Sequence, residues 1–125
     1  MSDQLKKLII VEDDELISQM YSAALQNSQF SVQIFGDGES GWNAIQTTLP
    51  DIVILDFMLP KLNGLEILQK MRLDPKLQSV PVIVVSSLTS ELDKKRTLEA
   101  GATDYWVKNE LNMVDFASKI MQFIK

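Results

Sequence analysis

Five short apolar runs, Leu8 to Val11, Val32 to Phe35, Ile52 to Leu55, Val82 to Val85 and Tyr105 to Val107, alternate with stretches of helical period. Runs this short and continuous read as strands buried on both faces. From Asp14 onward, Leu16, Ile17, Met20, Tyr21, Ala24 and Leu25 fall on one helical face. Trp42, Ile45 and Leu49 repeat the pattern more thinly. Leu65, Leu68 and Met71 mark a third helix, stopped at Asp74-Pro75 because the residue before a proline avoids the helical region. A fourth stretch, about Ser90 to Ala100, has few apolar positions beyond Leu92 and Leu98, and the last carries Met113, Phe116, Ala117, Ile120 and Ile124. Consecutive parallel strands need a crossover, almost always right-handed, and a helix supplies it. The alternation predicts an α/β fold of five units, a parallel sheet with helices on both faces.

At 125 residues, 46% of them hydrophobic, the chain has the size of one ordinary domain, taken as residues 1–125. No linker-like stretch and no repeat is visible. The net charge of −5 argues against direct nucleic-acid binding, which needs clustered Lys and Arg. Cysteine and histidine are both absent, which removes disulfides, thiolate catalysis, the common zinc sites and histidine bases. Any metal is then held by oxygens. The polar start MSDQLKK leads straight into the first run, with no apolar stretch long enough for a signal peptide or membrane span. A cytoplasmic location without membrane insertion is expected.

In open parallel sheets the useful crevice lies beyond the carboxyl ends of the strands, where the strand order reverses. Polar residues close the runs at that edge: Glu12, Asp13 and Asp14 after the first, Asp56 after the third, Ser86 and Ser87 after the fourth, Lys108 after the fifth. Carboxylates gathered without counter-charge repel, and burial pushes their protons back on, so a positive group is required among them. A hard divalent cation suits these donors. Magnesium, which keeps several waters and uses one or two carboxylates, suits them better than a caged calcium. The acidic triplet has a second explanation as a helix N-terminus, where acids meet the dipole and Asp13 or Asp14 caps. The two are compatible, with Asp14 capping and its neighbours binding metal. Aspartates also start turns and most lysines are solvated, so the weight lies in the set rather than in Asp56 or Lys108 alone.

The segments IIVEDDE, DIVILDFMLPKLNGLEIL, VPVIVVSSLT and AGATDYWVK, in this order and at these separations, resemble the receiver domains of two-component response regulators. The likeness is to the chemotaxis regulator type and covers the whole chain. It implies a flavodoxin-like doubly wound sheet of order 2-1-3-4-5 with five helices. It also implies a phosphorelay, in which Asp56 takes a phosphoryl group from a sensor histidine kinase or a histidine phosphotransfer protein and a downstream target protein responds. In the resemblance Asp13 is a direct Mg2+ ligand, Glu12 acts through a water, and Asp56 and the backbone carbonyl of Met58 complete the protein's share. Lys108 and Ser86 would meet the phosphoryl oxygens. Ser86 and Tyr105 would form the switch, the aromatic turning inward when the hydroxyl moves. Phosphoryl transfer is mainly positioning and charge neutralisation, and a carboxylate nucleophile needs no base, so a chain without histidine suits it. Such a domain is not an enzyme beyond assisting its own phosphorylation and dephosphorylation. Core packing is the plain alternative for Tyr105. Trp106, next along the strand, is expected on the opposite side as packing or as a partner contact.

Some positions depart from the family pattern. Asn109 stands where the family usually has a cis proline after its lysine, and a cis bond there would cost roughly 3 kcal/mol, which favours trans. Glu12 replaces the commoner aspartate, and the small Ser87 leaves Asp56 open to a phosphodonor. The last helix lacks the arginine-rich start of receivers that dimerise to place DNA-binding domains, so the chain resembles a stand-alone or excised receiver with output through the fourth helix, fifth strand and last helix. With Asp93-Lys94-Lys95-Arg96 at its middle, the fourth helix is expected to be weakly packed and less protected from hydrogen exchange than the first. Its plainer reading is a solvated face with Glu91 and Lys95 paired. Among rivals, a phosphohydrolase of the haloacid dehalogenase type wants a second acid two residues after the nucleophile, where this chain has Met58. A flavodoxin reading lacks a phosphate-cradling loop after the first strand. A receiver-like interaction scaffold that is never phosphorylated is the remaining alternative, although such domains usually lose the acids or the lysine kept here.

Overall fold

The computed structural model describes residues 4–124. Met1, Ser2 and Asp3 of the polar start, and Lys125 at the other limit of the 1–125 extent, lie outside the described residues. Five strands, β1 (Lys6–Val11), β2 (Phe30–Phe35), β3 (Ile52–Asp56), β4 (Val82–Ser86) and β5 (Asp104–Val107), form a parallel sheet in the order β2-β1-β3-β4-β5. Helices α1 (Glu15–Ala24), α2 (Gly38–Thr48), α3 (Gly64–Leu73) and α4 (Glu91–Glu99) make the crossovers, and α5 (Phe116–Met121) follows a 3-10 turn at Lys108–Glu110.

Every residue of β3 and β4 is buried, as their continuous apolar sequences require. Strand alternation divides the core in two. Ile9, Val11, Val53 and Leu55 pack on one face with Ile45, Leu68 and Met71. Leu8, Ile10, Ile52 and Ile54 pack on the other with Tyr21, Leu25, Phe116 and Ile120.

Helix starts follow capping chemistry. Asp14 accepts the Ile17 N–H at 3.0 Å and Asp37 that of Ser40 at 2.8 Å. Asn63 and Glu66 form a reciprocal capping box. Ser90 caps α4. At the far end of α3, Arg72 donates to the carbonyls of Gly101 at 2.9 Å and Leu77 at 3.2 Å, tying α3 to the turn between α4 and β5. That turn is also held by the Thr103 N–H on Val82 O at 2.7 Å and by Thr103 Oγ1, which accepts the Val82 N–H at 2.9 Å.

The apolar periodicity overstates three helices. On α1, Tyr21 and Leu25 are buried, but Leu16 is 67% and Met20 45% exposed. At 3.6 residues per turn Leu16 lies roughly 140° around the helix from Tyr21, outside the buried stripe. Met113 and Ile124 pack against the core from the segments flanking α5 rather than from within it. Before that helix the Asn112 side chain accepts the Val114 N–H at 2.9 Å, a local turn that competes with helix. Leu49 ends α2 in the left-handed region, φ 53°, and is 46% exposed instead of continuing the apolar face. No helix among the described residues is long and apolar enough to cross a membrane.

Candidate functional site

Parallel strands in register finish together, so the polar residues that close them arrive at one edge. Asp56 pairs with Val85, and Ser86 with Val107, one residue before Lys108. The Glu12 N–H extends the β1–β2 ladder by one bond, to Phe35 O at 2.9 Å. By alternation Glu12 continues the row of Leu8 and Ile10, and Asp56 that of Ile52 and Ile54.

At that edge Lys108 Nζ donates to Asp56 Oδ2 at 2.9 Å and to Glu12 Oε2 at 3.1 Å. The counter-charge demanded by the gathered acids is thus supplied from within the chain. One carboxylate oxygen from each of Glu12, Asp13 and Asp56 lies within 4.8 Å of the others. Glu12 and Asp56 are buried, whereas Asp13 is exposed. Burial pushes the Glu12 carboxyl up to about 7, with Asp56 adding to the rise and the Asp14 N–H and Lys108 opposing it. Burial works against the Lys108 ammonium, but Asp56 and Glu12 outweigh it and hold its pKa above the ordinary lysine range. Asp56 Oδ1 accepts the Met58 N–H at 3.1 Å, and Glu12 Oε2 the Asp14 N–H at 3.1 Å. Glu12 Oε1 is buried without a partner among the described residues. An all-oxygen donor set with one orphaned buried oxygen fits a hard cation such as Mg2+.

Asp14 caps α1. The Lys108–Asn109 peptide is trans, as no cis bond occurs among the described residues, and the lysine reaches the acids all the same. Ser86 is buried and its Oγ accepts the Leu88 N–H at 3.0 Å, while the buried Tyr105 donates its hydroxyl to the Leu88 carbonyl at 3.0 Å. The serine and the tyrosine therefore meet through the backbone of Leu88, which no side-chain pattern announces. Trp106 takes the opposite face, edge-on to Phe116 at 6.1 Å, its Nε1 donating to Asp104 at 2.9 Å and Lys119 lying 5.0 Å over its ring.

Gly64 is a further site residue. A Cβ there would stand 2.2 Å from the Asp56 carbonyl oxygen, and the Gly64 N–H donates to Phe57 O at 3.1 Å. The first turn of α3 is thereby pressed against the backbone of Asp56. The signal in the sequence is the capping box itself, Asn63-Gly64-Leu65-Glu66, which fixes where the helix begins.

A sequence profile of the response regulator receiver domain matches residues 8–120. The chain belongs to this family. The receiver is 32% identical over 108 residues to the DNA-binding response regulator MtrA of Mycobacterium tuberculosis, covering 86% of this chain and 46% of that one. It is 37% identical over 103 residues to the alkaline phosphatase synthesis transcriptional regulatory protein PhoP of Bacillus subtilis, covering 82% and 42%. It thus spans less than half the length of these curated relatives. Among solved structures, the chemotaxis response regulator CheY4 of Vibrio cholerae matches with a TM-score of 0.87 at 25% identity, over 96% of this chain and 99% of that one. The strand order 2-1-3-4-5 is the flavodoxin-like order that the resemblance implied.

Proposed function

We propose that this receiver, a single domain over residues 1–125, is a Mg2+-dependent phosphoryl switch with Asp56 as its phosphoacceptor. The observation that carries the reading is the convergence of three carboxylates and the Lys108 ammonium at the ends of β1, β3 and β5. The donor is a sensor histidine kinase or a histidine phosphotransfer protein in the cytoplasm. Output is contact with a downstream target protein, with no direct nucleic-acid binding by this domain.

In the transfer, a phosphorus–nitrogen bond to the donor imidazole breaks as an Asp56 oxygen bonds to phosphorus. Asp56 gives up no proton, because it reacts as the carboxylate. Glu12, Asp13, Asp56 and the Met58 carbonyl would hold the cation, which when bound neutralises charge on the transferring group. Lys108, already on Asp56 Oδ2, is the ammonium nearest to the incoming phosphoryl oxygens and can donate to them. The Ser86 hydroxyl accepts from Leu88 and keeps its own proton to donate to one of those oxygens. Turning it toward the phosphoryl group disturbs the Leu88 backbone that Tyr105 holds, which gives the signal a route to α4 and β5. The receiver's chemistry is confined to its own phosphorylation and dephosphorylation.

Incubation with acetyl phosphate and Mg2+ should add the mass of one phosphoryl group. The gain should vanish with chelator and in Asp56→Asn. An unmodified parent chain under these conditions would instead support the scaffold that is never phosphorylated.

A further inference from the structure

Two buried side-chain atoms lack a hydrogen-bond partner among the described residues, Glu12 Oε1 and the hydroxyl oxygen of Tyr21. Tyr21 is 0% exposed and stacks on Phe116, with ring centroids 5.1 Å apart and planes 11° apart. It packs in the core half that contains Leu8 and Ile10 of β1 and Ile52 and Ile54 of β3. Glu12 and Asp56 come next in those two rows, so phenol and carboxylates share one face of the sheet. Burial keeps the proton on the phenol, and the negative charges of Glu12 and Asp56 add to that hold. A phenylalanine would make the same stack and bury no hydroxyl. An unpartnered buried hydroxyl lowers stability, so its oxygen calls for a state in which it is bonded.

We propose that Tyr21 is a positioning residue of the acidic site, its hydroxyl donating to Glu12 Oε1 when Glu12 turns toward a divalent cation. The inference rests on the metal reading above. Here Glu12 Oε2 is held by the Asp14 N–H and by Lys108, each at 3.1 Å. A cation brought against the same carboxylates repels Lys108 and weakens that second hold. Glu12 then needs another fixed donor. Tyr21 is the buried donor on its face with no competing bond among the described residues. The new bond involves no proton transfer, because Tyr21, held above the ordinary phenol range by its burial, already carries the proton at neutral pH.

The test compares Mg2+ affinity, by calorimetric titration, in the parent, Tyr21→Phe, Glu12→Gln and the double variant. Tyr21→Phe should unfold at or above the parent's urea midpoint yet bind Mg2+ about three- to ten-fold more weakly, the range of one hydrogen bond. Once Glu12 is Gln, the same change should cost less than about two-fold, since the two residues act as a pair. In Tyr105→Phe, whose remaining tyrosine is Tyr21, Mg2+ should shift the ultraviolet resonance Raman bands of the phenol toward those of a hydrogen-bond donor. This last reading keeps the native Tyr21 and stands whether or not Tyr21→Phe folds. Parent-like affinity in Tyr21→Phe, a loss that persists in full with Glu12→Gln, or a phenol spectrum blind to Mg2+ would each overturn the proposal while leaving the metal reading intact. Failure of the parent to bind Mg2+ would overturn both.

Discussion

Position 64 shows how strongly one residue can be constrained by a neighbour's backbone rather than its side chain. With 2.2 Å between a would-be Cβ and the Asp56 carbonyl oxygen, any side chain must push α3 away from β3 or displace the end of the strand. Gly64→Ala should therefore lower stability by about 1–3 kcal/mol, the usual cost of overpacking, and should also weaken phosphoryl uptake because Asp56 moves with its backbone. Urea unfolding and the acetyl phosphate assay measure the two effects, and a substitution neutral in both would show that the contact relaxes freely. The acids of the site were readable from sequence because each ends an apolar run, an arrangement that a solvated face does not produce. The contact of Lys108 with two carboxylates was not readable from the residue alone, since lysines are usually solvated, and it emerged from the register that sets β5 beside β4. Tyr21 looked like one more apolar position of α1, because a core tyrosine and a functional one leave the same period in the sequence.

Among the α-helices, α4 is the least committed to the core, because none of its apolar side chains packs in either core half. Thr97 is its one buried residue, Leu92 is 55% and Leu98 37% exposed, and its Ser90 cap bonds at 3.2 and 3.4 Å. In α1, by contrast, Tyr21 is wholly enclosed and the cap bond is 3.0 Å. Amide hydrogens of α4 should exchange faster than those of α1 under native conditions, and equal protection in the two helices would refute the difference. No ion pair joins Glu91 and Lys95 among the described residues, so the solvated face stands without that support. The limits of α4 were legible because Ser90 is a cap of recognisable chemistry. Those of α5 were not, because Met113 and Ile124 keep helical spacing while a side-chain turn at Asn112 and the end of the helix at Met121 place both outside it.

At the scale of the whole molecule, the two core halves share one sheet and should melt as one. Trp42 packs against the half that contains Ile45 and Leu68, and Trp106 against the half that contains Phe116. In single-tryptophan chains made by Trp42→Phe and Trp106→Phe, tryptophan fluorescence and far-ultraviolet circular dichroism of the same chain should give coincident urea midpoints, and separated transitions within one chain would show that the faces unfold independently. The α/β class was legible from alternation of period, and the strand order came from family likeness, since periodicity alone says nothing about which strands are neighbours. Arg72 adds something that neither source contains. By fastening Gly101 to the end of α3, it clamps the trailing end of α4, while the leading end hangs on Ser90 and the Leu88 backbone. Under the proposed phosphoryl switch, α4 would act as a lever with its fulcrum at Gly101. A displacement of tenths of an ångström beside Ser86 would then be expressed as rotation of a rod about its far end, largest at the end nearest the chemistry and vanishing where the guanidinium grips.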